Sequence, residues 1–185
     1  MADDLLHRLR AVLESQDVAV FSALLGPDVT WGAPGDPNPP AAIGAKSSSG
    51  TNEASILFWK PQVGLFLNES TLLPVLLPLA PAATVIDRFP TALATVLRRH
   101  GISEAFIEAE SEAMADHCLA KTKNRSVVGM MTEFAFLGGA YAESEHAVDL
   151  VELSLWLART PCGPLYSRQG SPDRELAAHV ARRLG

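Results

Sequence analysis

Apolar residues recur every three or four positions over residues 5–25, the spacing of helices that bury one face. Asp17 is placed to cap the second of two predicted helices. A Gly-Pro pair at residues 26–27 ends the pattern, and a short strand is predicted over residues 28–31. The chain is therefore expected to open with a helical pair and one strand.

Two short apolar segments joined by turn residues replace this spacing in the middle of the chain. Two strands are predicted, over residues 62–68 and 71–79, joined by a turn at residues 68–70. Pro74 and Pro78 lie four residues apart in the second strand, so both missing N–H groups face the same side. A regular ladder cannot form on that side, which predicts an edge strand.

Helical spacing returns in the second half. Helices are predicted over residues 83–100, after Ser103, and over residues 126–142, 150–157 and 172–184. Pro90 either starts the first of these helices or kinks it. A third strand is predicted over residues 114–121. The expected fold is α+β: a small antiparallel sheet with a proline-marked edge strand, covered by several helices, plus the N-terminal helical appendage.

Residues 32–54 interrupt these patterns. They are rich in proline, glycine and serine, which disfavour helices and central strands, and we interpret them as a flexible linker. The predicted organisation is therefore an N-terminal fragment over residues 1–31, this linker, and an α+β domain over residues 55–185. Deleting residues 1–50 is expected to leave a folded domain.

Composition narrows the function classes. The 48% hydrophobic content indicates a globular protein, and no apolar run approaches the roughly 20 residues of a membrane span. The start has no signal-peptide pattern, and two cysteines suit reduced thiols, so a cytoplasmic protein is expected. The net charge of −6 argues against a general nucleic-acid binder. Residues 121–185, however, hold eight Lys/Arg against seven Asp/Glu, whereas residues 1–120 hold seven against fourteen.

One block places three cations and two helix-capping side chains directly before a predicted helix: Lys121, Lys123, Asn124, Arg125 and Ser126. The helix dipole disfavours cations at this end, so their presence suggests that an anion binds the first N–H groups, either a phosphate or a partner's carboxylate. A solvated turn with a helix cap is the alternative. Gly129 is expected to mark close approach of another backbone or a ligand.

Other candidate chemistry is weaker. Residues 116–118 carry Asp, His and Cys, but a metal site needs three or four converging ligands, and no paired Cys/His spacing is present. The chain has no nucleophile elbow, P-loop or dinucleotide fingerprint. The sequence therefore predicts no catalytic residue, no metal and no cofactor.

About the first 40 residues resemble the start of SnoaL-like (nuclear transport factor 2-like) domains. The resemblance rests on the segment LLHRLRAVLESQDVAVFSALLGPDVTWGAPGDPNPP. That superfamily forms a cone whose pocket holds small hydrophobic ligands or catalyses isomerisation or hydrolysis. The matching text stops after one helical pair and one strand, so the sheet that would form the pocket is not expected here.

Residues 55–176 resemble a family of uncharacterised bacterial and archaeal proteins, a domain of unknown function. The resemblance rests on LFLNESTLLPVLLPLAPA, DRFPTALATVLRRHG, AKTKNRSVVGMMTEFAF, TPCGPL and SPDREL. In that family a strand with a TKKL-like start precedes a segment comparable to residues 58–59, Phe-Trp. This first strand is expected to be missing here, replaced by the SnoaL-like fragment. The resemblance implies no reaction.

Three function classes follow. The favoured one is a non-enzymatic binding module that uses residues 121–131 to bind a protein partner or a small anionic ligand. The second is a nucleic-acid-associated regulatory protein, which would use that block together with Arg159, Arg168, Arg174, Arg182 and Arg183. The third is a small-molecule enzyme or carrier of the SnoaL type. The sequence does not predict an oligomeric state.

Overall fold

A computed structural model describes residues 43–47, 50–114, 120–121, 124–144 and 147–184. Within these ranges five antiparallel strands form one sheet in the order β4-β3-β2-β1-β5. The strands are β1 (Ile43–Ser47), β2 (Gly50–Leu57), β3 (Val63–Asn68), β4 (Pro74–Pro78) and β5 (Ala120–Lys121). The predicted helices and strand over residues 5–31 lie outside the described residues.

The linker prediction for residues 32–54 is wrong where the structure describes that segment. Strands β1 and β2 form a hairpin in which Ser47 lies opposite Gly50, and β2 then pairs with β3 along its length. Asn52, a polar residue that suggested a loop, is buried in the sheet, where its Oδ1 accepts from the side-chain N–H of Asn68 at 3.1 Å. Deleting residues 1–50 would remove β1, so that deletion no longer defines a domain boundary.

Strand β3 confirms the strand predicted over residues 62–68. Leu65 and Leu67 point to one face of the sheet, whereas Phe66 points to the other and stacks on Phe89 with ring centroids 4.2 Å apart. Both faces are therefore buried, and every residue of β3 is buried. Burial on both faces explains why β3 is apolar along most of its length, unlike a strand with one face in solvent.

Strand β4 lies at the edge of the sheet, as its prolines predict. The backbone nitrogens of Pro74, Leu76 and Pro78 all face away from β3, toward the outside of the sheet. The two prolines carry no N–H group there. The outward N–H of Leu76 donates to Ser154 Oγ at 2.9 Å. Along Pro74–Pro78 no outward N–H remains for pairing with another strand, so this edge resists sheet-to-sheet aggregation.

Five α-helices are described: α1 (Val85–Arg99), α2 (Glu104–Ala113), α3 (Arg125–Ser144), α4 (Leu150–Ala158) and α5 (Pro172–Leu184). Pro90 lies inside α1, which follows a short 3-10 turn and begins earlier than this proline. Gly101, at φ 75°, follows the end of α1 as predicted. None of the described helices is long and apolar enough to cross a membrane.

The helices cover both faces of the sheet. Helices α1, α2 and α5 pack on the face that carries Phe66, while α3 packs on the face that carries Leu65. Helix α4 runs along edge strand β4 and supplies side chains to both cores. The α+β prediction is confirmed, and the antiparallel sheet forms the middle of three layers.

Helix α3 is held by its predicted apolar side. Val127, Met131 and Phe134 are buried against the sheet. Further along, Gly138 lies under the Trp59 indole, where a Cβ would come within 2.7 Å of Trp59 Cη2. A glycine is therefore required for Trp59 to pack on the helix surface. These contacts fix the orientation of α3 and so the position of its first turn.

Candidate functional site

Asn124 caps the start of α3. Its Oδ1 accepts from the Ser126 main-chain N–H at 3.1 Å, and its main-chain oxygen accepts from the Val128 N–H at 3.1 Å. This is the role expected of an N-cap asparagine, and it settles the choice between Asn124 and Ser126 in favour of Asn124. The other first-turn N–H groups point along the helix axis, at the positive end of the dipole.

The first turn of α3 differs from the first turns of the other described α-helices in its charge. It contains no acidic residue and begins with Arg125. The others each carry at least one carboxylate in the first turn, from Asp87, Glu104, Glu152, or Asp173 with Glu175. A carboxylate there is the favourable placement, so α3 alone among these helices lacks this stabilisation within its own sequence.

A carboxylate reaches this helix end from another element. Asn124 Nδ2 donates to Glu69 Oε1 at 3.1 Å, although the two residues are 55 positions apart. Glu69 is exposed in the turn between β3 and β4, and its main-chain N–H donates to Thr51 O at 2.8 Å. The start of α3 therefore already contacts one anionic group, which the protein supplies itself.

The structure brings together part of the predicted anion-binding block. Arg125 and Ser126 are exposed beside the half-buried Asn124. Lys121 lies in β5, where its backbone pairs with Ile43. Lys123 lies outside the described residues. Sequence reasoning missed Glu69, which was assigned only to a turn, because nothing in the pattern connects that turn to residue 124.

Gly129 does not mark a close approach. A Cβ built on this residue would meet no atom within 4 Å, and the residue is exposed. Among the described residues no other backbone packs against Gly129, so that part of the expectation is wrong, since the buried side of α3 runs through Val127 and Met130 instead.

Much of the basic charge in the last third is balanced within the fold. Arg168 and Arg182 both pair with Oε1 of Glu175, whose side chain is 0% exposed. Arg183 Nη1 lies 3.7 Å from Oε1 of the buried Glu110. Of the five arginines in the predicted nucleic-acid surface, these three hold buried carboxylates in place. Arg159 and Arg174 are exposed.

Cys162 is a buried thiol with no sign of activation. Burial, followed by the negative charge of Glu133, raises its pKa to about 12. The thiol therefore stays protonated near neutral pH and is a poor nucleophile and a poor metal ligand. Among the residues that the structure describes, no group of three or more His, Cys, Asp or Glu side chains could hold a metal ion. The Asp-His-Cys run at residues 116–118 lies outside them.

Comparison with known proteins identifies a family. The model of the family described as "Domain of unknown function (DUF6933)" matches residues 37–175. No curated protein and no solved structure matches the chain. The match begins at residue 37, ahead of β1, and the SnoaL-like resemblance of residues 1–40 is not confirmed. Because the match spans most of its length, the chain belongs to the DUF6933 family, a domain of unknown function.

Proposed function

We propose that this protein is a non-enzymatic binding module that recognises an anionic group at the start of α3. The group is a carboxylate of a protein partner or the phosphate or carboxylate of a small ligand. One observation carries the proposal: Asn124, which caps the helix, also holds the Glu69 carboxylate at 3.1 Å. Carboxylate binding is thus chemistry that this helix end performs within the molecule.

The charges around this contact support an external ligand. Glu69 is exposed, so its carboxylate can leave Asn124 at little cost in buried surface. Arg125 is exposed next to it and can form a charge-assisted hydrogen bond with an incoming anion. Helix α3 itself is anchored by Phe134 and Met131, so the first-turn N–H groups are held in fixed directions for the ligand.

The two alternatives have less support. A nucleic-acid surface would use five arginines besides the block before α3, and three of them, Arg168, Arg182 and Arg183, already face buried carboxylates. A SnoaL-type enzyme or carrier would depend on a segment that the family match leaves largely outside its range. We place the binding module in the cytoplasm, because the buried Cys162 is a free thiol and suits a reducing compartment.

The direct test is a titration of the ¹⁵N-labelled protein with phosphate and with a short poly-glutamate peptide, followed by amide NMR. We expect saturable shifts of the Ser126 and Val127 amides. Two variants should act in opposite directions. Arg125→Ala should weaken binding, and Glu69→Gln should strengthen it, because the glutamine removes a competing negative charge.

Arg174→Ala is the matched control, since Arg174 is also an exposed arginine in the first turn of a helix. It should leave the titration unchanged. Shifts that do not saturate, or that respond equally to Arg125→Ala and Arg174→Ala, would refute recognition at α3.

A further inference from the structure

The turn that carries Glu69 is held by contacts from two other elements. Within the turn, Asn68 Oδ1 accepts from the main-chain N–H of Ser70 at 3.0 Å. The Glu69 main-chain N–H donates to Thr51 O in β2 at 2.8 Å. One residue further on, Ser70 O accepts from Arg168 Nη1 at 3.0 Å. The backbone on both sides of Glu69 is therefore tied to another part of the fold.

Arg168 is itself fixed by α5. Its Nη2 donates to Oε1 of Glu175, whose side chain is fully buried in the first turn of that helix. Its main-chain N–H donates to the oxygen of the buried Leu165 at 2.9 Å. A guanidinium carries its N–H groups in a rigid planar fork, so the bond to Glu175 also orients the nitrogen that reaches Ser70. One side chain thus connects α5 to the turn.

The turn is held in a costly backbone conformation. Leu72 has a φ of 56°, a left-handed conformation that residues other than glycine rarely adopt. Its main-chain N–H donates to Asn68 O at 2.8 Å, and its side chain is buried. Such a conformation persists only where surrounding contacts hold it. We therefore expect the turn to relax when one of its external contacts is removed.

These contacts determine how firmly Glu69 binds Asn124. The hydrogen bond from Asn124 Nδ2 to Glu69 Oε1 involves an exposed glutamate. A contact of this kind is weak if a mobile side chain and a mobile backbone must both be ordered to form it. A backbone that is already fixed beneath Glu69 removes part of that entropy cost. The internal carboxylate then competes more strongly with an external anion for the start of α3.

We propose that Arg168 is a positioning residue that holds the Glu69 carboxylate on Asn124 and so limits access of an external anion to the start of α3. This inference rests on the proposed function, because it assigns regulation to the same site. Arg182 supplies the matched comparison. Its hydrogen bond is to the same Glu175 oxygen, at 2.8 Å, rather than to the turn.

The first measurement needs no ligand. NMR of the ¹⁵N-labelled protein follows the side-chain amide of Asn124 in wild type, Glu69→Ala, Arg168→Met and Arg182→Met. Glu69→Ala gives the resonance position of an Asn124 amide that has lost its carboxylate. We expect Arg168→Met to shift the resonance part of the way to that position and Arg182→Met to leave it unchanged. A resonance that Arg168→Met leaves unchanged would overturn the positioning role.

A second variant covers the case in which Arg168→Met does not fold. Arg168→Lys keeps the positive charge beside Glu175 but lacks the planar fork that reaches Glu175 and Ser70 together. It should shift the Asn124 resonance in the same direction, and an unchanged resonance in this variant would likewise overturn the proposal.

The second measurement is phosphate affinity at constant ionic strength. Arg168→Met and Arg182→Met lose the same charge, so they are compared with each other. Arg168→Met should bind phosphate about twofold to tenfold more tightly, the scale of one hydrogen bond. In a Glu69→Ala background the two substitutions should give equal affinities, a result that a general structural effect of Arg168 would not produce.

The two measurements separate this proposal from the function on which it rests. Equal phosphate affinities of Arg168→Met and Arg182→Met with Glu69 present would overturn control of access by Arg168. An absence of saturable binding in every protein, with the Asn124 resonance displaced as expected, would instead refute anion recognition at α3.

Discussion

Helices α3 and α5 begin in opposite ways. The first turn of α5 contains Asp173 and Glu175, and Glu175 is buried and held by two arginines of the same chain. The first turn of α3 has no carboxylate of its own, and its Arg125 is exposed. The carboxylate that α3 contacts comes from a distant turn and is itself exposed.

We propose that this difference separates a carboxylate that stabilises its helix from a helix end that recognises a ligand. At α5 the Glu175 carboxylate lies in the first turn, and both arginines bind its Oε1, so the anion at this helix start belongs to the helix itself. At α3 the anion is the carboxylate of Glu69, an exposed residue of another element, which we expect a ligand to displace. Arg125 lies at the positive end of the helix dipole, where a cation is disfavoured. The predictions below test this contrast, beginning with the largest expected effect.

The position of α3 depends on its buried side. Phe134 is 0% exposed in the core against the sheet, so Phe134→Ala should lower the free energy of unfolding by about 3–5 kcal/mol. A denaturant melt measures the loss. A loss below about 1 kcal/mol, the scale of surface substitutions, would mean that α3 is not anchored by this face and that its first turn is not fixed.

The carboxylates at the two helix starts should differ in their contribution to stability. Glu175→Gln removes the charge that two arginines bind and should cost about 1.5–3 kcal/mol. Glu69→Gln, at an exposed position, should change stability by less than about 0.5 kcal/mol. Parallel urea melts give both values. Similar losses in the two variants would show that the α3 carboxylate is also structural.

The cap of α3 should have a measurable but modest effect. Asn124→Ala removes the acceptor for the Ser126 N–H and should cost about 1 kcal/mol. Ser103→Ala is the matched control, because Ser103 occupies the N-cap of α2 without a side-chain cap hydrogen bond and should cost almost nothing. The same melts decide the point, and an equal cost at both positions would contradict the assigned cap.

The region around α5 should respond to mild acid. Burial lowers the pKa of His100 and His179, with Arg182 and Arg183 adding to the effect at His179. Below about pH 6.5 the unfolded chain therefore binds protons at these histidines that the folded chain does not bind. The free energy of unfolding is unaffected by them above that pH and decreases as the pH falls below it. The melting midpoint should decline from pH 7.5 to 5.5, and His179→Gln should flatten that decline. A midpoint that rises over this range would contradict a lowered pKa at these two half-buried histidines.

Much of the fold could be predicted because local pattern and final structure agree. The apolar residues of β3 and the apolar side of α3 can be buried only if these segments form a strand and a helix, as the structure shows. Pro74 and Pro78 restrict β4 to the edge of the sheet. The hairpin of β1 and β2 was missed because Gly and Ser residues and Asn52 suggest a loop. Only the partner strand, which supplies Asn68, makes a polar residue suitable for the interior.

The candidate site was predictable only in its local part. Charge and capping residues identified Asn124 and Arg125 from adjacent positions in the sequence. The contact with Glu69 depends on the β3–β4 turn meeting the start of α3, which is a property of the tertiary structure. The pairing of Arg168 and Arg182 with Glu175 follows a seven-residue spacing in both directions. That spacing could have indicated that these arginines are structural.

The most direct test of anion recognition at α3 is a thermal melt of wild type, Arg125→Ala and Arg174→Ala, each with and without phosphate at constant ionic strength. A ligand that binds the folded state raises the midpoint, whereas nonspecific exclusion acts on all three proteins alike. We predict that phosphate raises the midpoint of wild type and Arg174→Ala equally and that of Arg125→Ala less. An identical increase in all three proteins would contradict a small-anion site at this helix end.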